Sequence, residues 1–367
     1  MAVREGFQCA GCHTNITGGG KRSDIVTMHS RQILHYPAFL GTFSSPADAF
    51  TGEINKYIGV GADVRVSNTA ILQDQPDANI RVKNNTAFRG RLEQDTIDAT
   101  EAVGYLEVRL IPELLTFYVD QRVSPNTNNR EAWGLVRLPW WNSFVKAGRM
   151  FLPYGLQLQD DRSFIRMGRN GSASTGFSFE QNQAAFEIGV RPDPFSFIVA
   201  VSEGVSRDRD VQVTGTASAM FTELPAVRNV LVGGSFSRVG PPGSETVLFG
   251  FFGGTNIERL TVLGEADFRD DRNAMTNGQH RGTFIAYGEA DYLLFDWLNV
   301  KASADYADND GNLADRGNDS ENRVSVGLEP FLNRFVQPRL FYRVSNGVRN
   351  NPSHNQDELL AELHLFF

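Results

Sequence analysis

Residues 259–269 have the sequence RLTVLGEADFR, in which apolar and polar side chains alternate. The even positions carry Leu260, Val262, Gly264, Ala266 and Phe268, and the odd positions carry Arg259, Thr261, Leu263, Glu265, Asp267 and Arg269. Successive side chains of an extended chain point to opposite sides, so this period of two predicts a β-strand with one apolar face. Residues 283–293 and 297–306 repeat the pattern, which indicates a larger sheet.

The same period continues from about residue 56 to the C-terminus and divides into sixteen candidate strands. These are residues 56–72, 101–110, 114–124, 130–139, 142–151, 178–191, 194–203, 211–222, 226–238, 245–254, 257–270, 281–293, 295–307, 321–331, 335–344 and 357–366. Every second connection is tight, whereas the intervening connections, such as 152–177 and 308–320, are generally longer and polar. Short turns at one end and long loops at the other are typical of a transmembrane barrel with an even strand number. We therefore predict an all-β fold, in which residues 56–367 form a 16-stranded antiparallel transmembrane β-barrel with its apolar face towards lipid.

The composition agrees with this prediction. The chain has 367 residues, with 35 glycines, 27 phenylalanines and a hydrophobic fraction of 41%. No apolar run reaches the roughly 18 residues that a membrane-spanning helix needs, which excludes a helical membrane protein. The net charge of −8 argues against a nucleic-acid partner. Trp140, Trp141 and Trp297 lie at predicted tight turns, where an aromatic girdle is expected.

A second informative stretch, Cys9-Ala10-Gly11-Cys12-His13, precedes the barrel. Two thiols separated by two residues can bond to the vinyl groups of one haem, and the histidine that follows can bind its iron. A structural zinc site needs about four ligands and usually a second cysteine pair, but the chain has only these two cysteines. A thioredoxin-like redox pair would need a βαβ context, which nothing nearby suggests. We predict one covalent haem c, attached at Cys9 and Cys12, with His13 as the proximal ligand.

Residues 1–55 form the unit that carries this motif. They are too few, and too poor in core residues, to fold alone, so we expect them to pack into the barrel as a haem-binding plug. Met28, His29 and His35 follow closely enough to fold back over the haem, and one of them is expected to be the sixth iron ligand. A histidine is favoured over Met28, although an open or distant site is an alternative. Each histidine could instead be an ordinary solvated or hydrogen-bonded residue. His364, on the inward face of the last strand, could line the lumen near the haem.

The haem motif Cys9, Cys12 and His13, followed by the barrel pattern, resembles the fused monohaem cytochrome c–porin family of outer-membrane electron-transfer proteins. The resemblance implies electron transfer through a single haem, with oxidation of extracellular ferrous iron, so that the protein would act as an Fe(II):cytochrome c oxidoreductase. It also implies two redox partners: a periplasmic electron carrier, such as a soluble cytochrome, and extracellular ferrous iron or another donor. Two alternatives stay open. One is a diffusion porin with a structural or sensory haem segment, and the other is outward transfer to extracellular acceptors.

The expected location is the bacterial outer membrane, with the barrel in contact with lipid. Residues 358–367 alternate apolar and polar side chains and end in phenylalanine, which resembles the assembly signal of bacterial outer-membrane proteins. Residues 1–5 lack the apolar stretch of a signal peptide, so we expect an exported, trimmed form. The inward-facing charges are of both signs. We predict ion pairs within the lumen, since an ion-selective pore would show one dominant sign.

Overall fold

The computed structural model of the chain describes sixteen stretches of it. They are residues 2–6, 13–17, 20–23, 51–73, 91–124, 126–158, 162–167, 177, 182–204, 210–225, 227–240, 245–272, 281–308, 320–333, 335–347 and 354–366. The predicted haem-attachment residues Cys9 and Cys12 lie outside the described residues. The same holds for the candidate sixth ligands Met28, His29 and His35.

Within these stretches the chain forms two short helices and seventeen strands. The helices are α1 (Ala2–Glu5) and α2 (Phe164–Met167). The strands are β1 (Glu53–Asn55), β2 (Ile58–Gln73), β3 (Arg91–Ile111), β4 (Leu115–Ser124), β5 (Asn128–Arg137), β6 (Phe144–Met150), β7 (Gln183–Val190), β8 (Phe195–Glu203), β9 (Val211–Thr222), β10 (Asn229–Val239), β11 (Thr246–Ile257), β12 (Leu260–Asp271), β13 (Arg281–Phe295), β14 (Leu298–Asp308), β15 (Ser320–Pro330), β16 (Val336–Asn346) and β17 (Gln356–Phe366). In the part of the chain that is described, neither helix has the length and apolar character needed to cross a membrane.

Strands β2 to β17 form a closed antiparallel barrel in which each strand pairs with its neighbours in the chain. The barrel closes where Gln356–Phe366 of β17 pair with β2, from Gln73 to Asp63. Strand β1 adds a short antiparallel contact to the start of β2. The predicted 16-stranded antiparallel β-barrel is therefore confirmed.

The largest difference from the predicted strand bounds is at β3, which begins at Arg91 rather than at residue 101. Residues 91–100 are mostly polar, with Leu92 and Ile97 as their large apolar side chains. A strand that extends beyond the lipid needs no continuous apolar face. The alternation that identified the other strands is therefore weak in this stretch.

The two faces of the wall differ as the alternation predicts. In β8, Phe197 and Val199 are 50% and 51% exposed, whereas the intervening residues Ser196, Ile198 and Ala200 are buried. In β12, Val262 and Phe268 face outward, and Glu265 and Asp267 face the lumen, where they are almost fully buried. An apolar outer face with a polar interior is the arrangement of a barrel in lipid.

The tight turns lie together at one end of the barrel, here called the short-turn end; the other is the long-loop end. Glu113, Glu223 and Glu258 close three of these turns with φ of 66°, 58° and 51°. Trp140 and Trp141 are exposed at this end. Trp297 also lies there, with its ring stacked on Phe295 at 5.6 Å between centroids. Their positions fit the predicted aromatic girdle.

Candidate functional site

Residues 13–17 and 20–23, here called the N-terminal lumenal segment, lie against the inner wall near the short-turn end. His13 pairs with Arg22 in an antiparallel bridge, and the Thr14 amide donates to the Lys21 carbonyl at 3.0 Å. Arg22 lies 3.6 Å from the centroid of the Phe366 ring, at the end of β17. The structure therefore places the predicted proximal ligand, His13, on a segment that is folded against the wall.

An apolar contact holds the middle of this segment. Ile16 is 5% exposed and packs in a cluster with Tyr118 of β4, Trp133 of β5 and Met150 of β6. The rings of Tyr118 and Trp133 stack at 4.8 Å between centroids. Burying an isoleucine side chain contributes about 2 kcal/mol, so Ile16 alone gives the segment a substantial preference for this position.

Gly20 allows the returning half of the segment to approach the wall closely. Its φ is +66°, and a β-carbon at this position would lie 2.1 Å from the Tyr118 hydroxyl oxygen. The next amide, Lys21 N, donates to the same oxygen at 3.0 Å. A larger residue would break this contact as well as adopt an unfavourable backbone conformation.

Lys21 lies in a buried ionic group. Its Nζ is 2.5 Å from Glu53 Oε1 and 3.4 Å from Glu107 Oε2. Arg109 binds Glu53 at 2.6 Å, and the Thr14 hydroxyl donates to Glu107 at 3.1 Å. Burial alone would raise the pKa of Glu53, but hydrogen bonds and charges from Arg109 and Lys21 outweigh it and lower that pKa.

A second buried group surrounds Asn15. Its Nδ2 donates to Glu131 Oε1 at 3.2 Å, and its Oδ1 accepts from Lys146 Nζ at 3.2 Å. Lys146 also donates to the Thr17 hydroxyl at 3.0 Å and pairs with Glu187 at 2.9 Å. Asn15, Glu131, Lys146 and Glu187 are each 0% exposed. Buried charges of this kind are stable only when they are paired and hydrogen-bonded, so the wall and the segment depend on each other.

Helix α1 is held on another part of the wall. Asn229 Nδ2, at the start of β10, donates to the carbonyls of Val3 and Arg4 at 3.0 and 2.8 Å. In the strand order, β10 is almost opposite β2 and β3. The six residues 7–12, which include Cys9 and Cys12, connect this point to His13.

The described residues on either side of the motif are both held in place. His13, which directly follows Cys12, is held by the bridge to Arg22, and both chain segments beside the motif are fixed to the wall at the short-turn end. The described part of the chain contains no cluster of three or more histidine, cysteine or acidic side chains that could hold a metal ion.

His364 is buried in the wall, in the lumenal position expected for it. Its Nε2 lies 2.9 Å from Asp63 Oδ2, and its Nδ1 lies 2.8 Å from Arg339 Nη2. Because Arg339 can only donate, Nδ1 accepts and Nε2 donates to Asp63. With both ring nitrogens engaged, His364 is a poor candidate for an iron ligand and instead links β2, β16 and β17.

A second segment enters the lumen from the connection between β6 and β7. We call residues 151–158 and 162–167 the loop 3 segment. The Phe151 amide donates to Glu131 Oε1 at 3.2 Å, the Gly155 amide to Ser235 Oγ at 2.7 Å, and the Leu156 amide to Glu265 Oε2 at 2.7 Å. The segment thus leaves the wall at β5 and reaches β10 and β12.

The rest of the loop 3 segment continues across the lumen. Arg166 is 1% exposed; it donates to the Leu156 carbonyl at 2.7 Å and forms an ion pair with Glu265. The Phe164 amide donates to Asp305 at 2.8 Å, and Arg162 pairs with Glu358 of β17 at 3.0 Å. Bonds to β5, β10, β12, β14 and β17 show that this segment spans most of the interior.

The sequence interpretation missed this second segment, because it treated residues 152–177 as one of the long polar loops. The signal that could have revealed it is FLPYGLQL at 151–158, an apolar run in a connection that should be polar. Its apolar residues are buried against the inner wall, for example Leu152 and Tyr154 with Ala200 and Leu248.

No family model and no curated protein matches the chain by sequence. Solved structures do match. OmpT, an outer-membrane protein of Vibrio cholerae, has a TM-score of 0.60 and 11% identity over 84% of this chain and 97% of its own. The anion-selective porin from Comamonas acidovorans gives 0.59 and 9%, over 84% and 99%. The outer-membrane channel DcaP of Acinetobacter baumannii gives 0.57 and 8%, over 84% and 97%. These likenesses show the fold: the chain is a porin-like β-barrel.

Proposed function

We propose that the protein transfers electrons across the bacterial outer membrane through one c-type haem held in the barrel lumen. Cys9 and Cys12 would attach the haem, His13 would bind its iron, extracellular ferrous iron would be the donor, and a periplasmic carrier would be the acceptor. The observation that carries the proposal is the position of the N-terminal lumenal segment. Directly after the C-x-x-C-H motif, the chain is fixed inside a porin-like barrel by two buried ionic groups.

The outer-membrane location has two supports. The outward face is lined by large apolar side chains, such as Phe251 with 65% exposure, which suits contact with lipid. The structural neighbours are outer-membrane porins and channels. In bacterial barrels the short turns face the periplasm, so the haem-bearing segment would lie at the periplasmic mouth, where a soluble carrier can approach it.

A haem held by Cys9, Cys12 and His13 would supply one-electron redox chemistry, with ferrous iron outside as the donor, oxidised to ferric iron, and the periplasmic carrier as the acceptor. The chain's own residues would hold and insulate the haem. Thr14, Asn15 and Lys21 fix the segment that follows the motif. Ile16 and its aromatic neighbours exclude water on the wall side. The loop 3 segment crosses the lumen and would restrict the path of solutes.

A reconstitution experiment tests this proposal. The purified protein should show the spectrum of covalent haem, and a redox titration of that spectrum would give its potential and its axial ligands. In vesicles with trapped ferricytochrome c, externally added ferrous iron should reduce the trapped carrier. A Cys9→Ala/Cys12→Ala variant should insert normally and give no reduction. Absence of covalent haem in the exported wild-type protein would reject the proposal.

The likeness to porins favours a second candidate, a diffusion porin in which the haem segment is structural or sensory. Liposome swelling separates the two. Rapid entry of small sugars with a haem that does not exchange electrons would support the porin. Transfer in the outward direction can be tested with the same vesicles loaded with a reductant, by measuring the reduction of a ferric acceptor added outside.

A further inference from the structure

Glu131 contacts both of the segments that enter the lumen. Its Oε1 accepts from Asn15 Nδ2 of the N-terminal lumenal segment and from the Phe151 amide, where the loop 3 segment begins, both at 3.2 Å. Its Oε2 accepts again from Asn15 at 3.3 Å. Glu131 is 0% exposed, so water does not compete for these bonds.

The surroundings of Glu131 restrict where its carboxylate can go. Lys146 and Arg130 are the cations that act on Glu131, Lys146 more strongly, and Lys146 Nζ binds Asn15 Oδ1 at 3.2 Å and Glu187 at 2.9 Å. Asn15 therefore lies between the carboxylate and the ammonium group and binds both. If Asn15 were displaced, Glu131 would lose its amide partner and be drawn towards Lys146, away from the Phe151 amide.

Other contacts hold one segment each. The Thr14 hydroxyl binds Glu107 at 3.1 Å, and Glu107 also pairs with Lys21 of the same segment. On the loop side, the Gly155 amide binds Ser235 at 2.7 Å. These contacts provide matched controls, since Thr14 and Asn15 are adjacent in sequence but bind different carboxylates.

We propose that Glu131 couples the two segments, so that displacement of the N-terminal lumenal segment releases the start of the loop 3 segment. One consequence rests on the proposed function: displacement of the haem-bearing segment would alter how far the solute path opens. The coupling itself involves only residues of this chain and does not require a haem.

Hydrogen–deuterium exchange of the full-length protein in detergent micelles tests the coupling. Asn15→Ala should raise the exchange rate of residues 13–17 and also of residues 151–158, each by roughly tenfold, as expected for loss of a hydrogen bond to a charged group. Thr14→Val removes the bond to Glu107 but leaves Asn15 bound to Glu131, so exchange at residues 151–158 should stay unchanged. Glu131→Gln should raise exchange in both segments, because its amide would place a donor against Asn15.

Single-channel conductance gives a second readout of the same variants. Asn15→Ala and Glu131→Gln should increase the open current, and Thr14→Val should not. The coupling is rejected if residues 151–158 exchange at the wild-type rate in Asn15→Ala, or if Thr14→Val affects them equally. Neither measurement uses the haem, so a negative result in the vesicle redox assay would reject the proposed function and leave this test valid.

Discussion

Two parts of the inner wall bury polar side chains in different ways. The wall behind the N-terminal lumenal segment, from β3 to β7, is charged and contains Glu107, Glu131, Lys146 and Glu187. The wall from β8 to β10, together with Gln183 of β7, is uncharged and contains Ser202, Gln212, Thr214 and Ser237. Its amides and hydroxyls bond to one another, with Ser202 to Gln183 at 2.7 Å, Gln183 to Gln212 at 2.9 Å, and Gln212 to Ser237 at 3.0 Å.

The difference follows from what covers each wall. The N-terminal lumenal segment presents polar groups, such as Asn15 and Lys21, which need partners when buried, and the charged wall supplies them. The described loop residues that cover the uncharged wall are apolar: Leu152, Tyr154 and Phe177 pack near the inner faces of β8 and β11. A polar wall under a mostly apolar cover must satisfy most of its own hydrogen bonds, as the side chains from Ser202 to Ser237 do here.

The largest expected effect distinguishes the two walls directly. Lys146→Met should lower the free energy of unfolding by about 3–5 kcal/mol, because Glu187 would remain in a fully buried site without its cation. Urea unfolding of the barrel in lipid vesicles measures this. The double variant Lys146→Met/Glu187→Leu should recover much of the loss, and Lys56→Met, at an exposed position, should have little effect. Equal effects of Lys146→Met and Lys56→Met would show that the charged wall is not a stabilising unit.

The second prediction concerns pH. The pKa of Glu53 in the folded protein lies below its ordinary value of 4.5, so its ion pairs stabilise the N-terminal lumenal segment fully above that value. This stabilisation is lost as the pH falls through the lower folded-state pKa. We expect exchange of residues 20–23, corrected for the intrinsic rate, to increase severalfold in that range while residues 212–216 of the neutral wall stay protected. In a Glu53→Gln variant, residues 20–23 should exchange faster already at neutral pH. If the same increase in exchange at low pH persisted in this variant, Glu53 would not be the group responsible.

The smallest expected effect is in the neutral wall. Thr214→Val keeps the shape of the side chain but removes a hydroxyl that lies 2.9 Å from Ser237 Oγ. Because Ser237 keeps its bond from Gln212, we expect a loss of about 1 kcal/mol in the free energy of unfolding. The same urea titration measures it. A loss as large as that for Lys146→Met would remove the distinction between the two walls.

Most of the barrel could be predicted from the sequence, because a strand's period of two is a local property. The stretch 259–269 and its repeats indicate which residues face lipid, and the bounds of strands such as β9 agree with the prediction to the residue. The mixed inward charges also led to the expectation of lumenal ion pairs, which the structure shows. The pairing of particular charges could not be predicted, since it depends on register and on barrel closure.

The candidate site likewise has a part that the sequence predicts and a part that only the structure reveals. The motif at Cys9, Cys12 and His13 is a local chemical pattern, and it predicts a haem from the sequence; that remains a prediction. The partners of the next residues are distant in the chain: Asn15 binds Glu131, 116 positions away, and Leu156 binds Glu265, 109 positions away. No spacing rule in the sequence connects such residues.

The sequence by itself determined the barrel, its orientation of polar and apolar faces, and the presence of a haem-attachment motif, because each is encoded by neighbours along the chain. Only the tertiary structure decided that two segments enter the lumen, which wall side chains each of them binds, and that Glu131 contacts both. Closing the sheet brings strands from distant parts of the chain around one interior, and the unpaired polar groups of the inserted segments then select the buried side chains that can satisfy them.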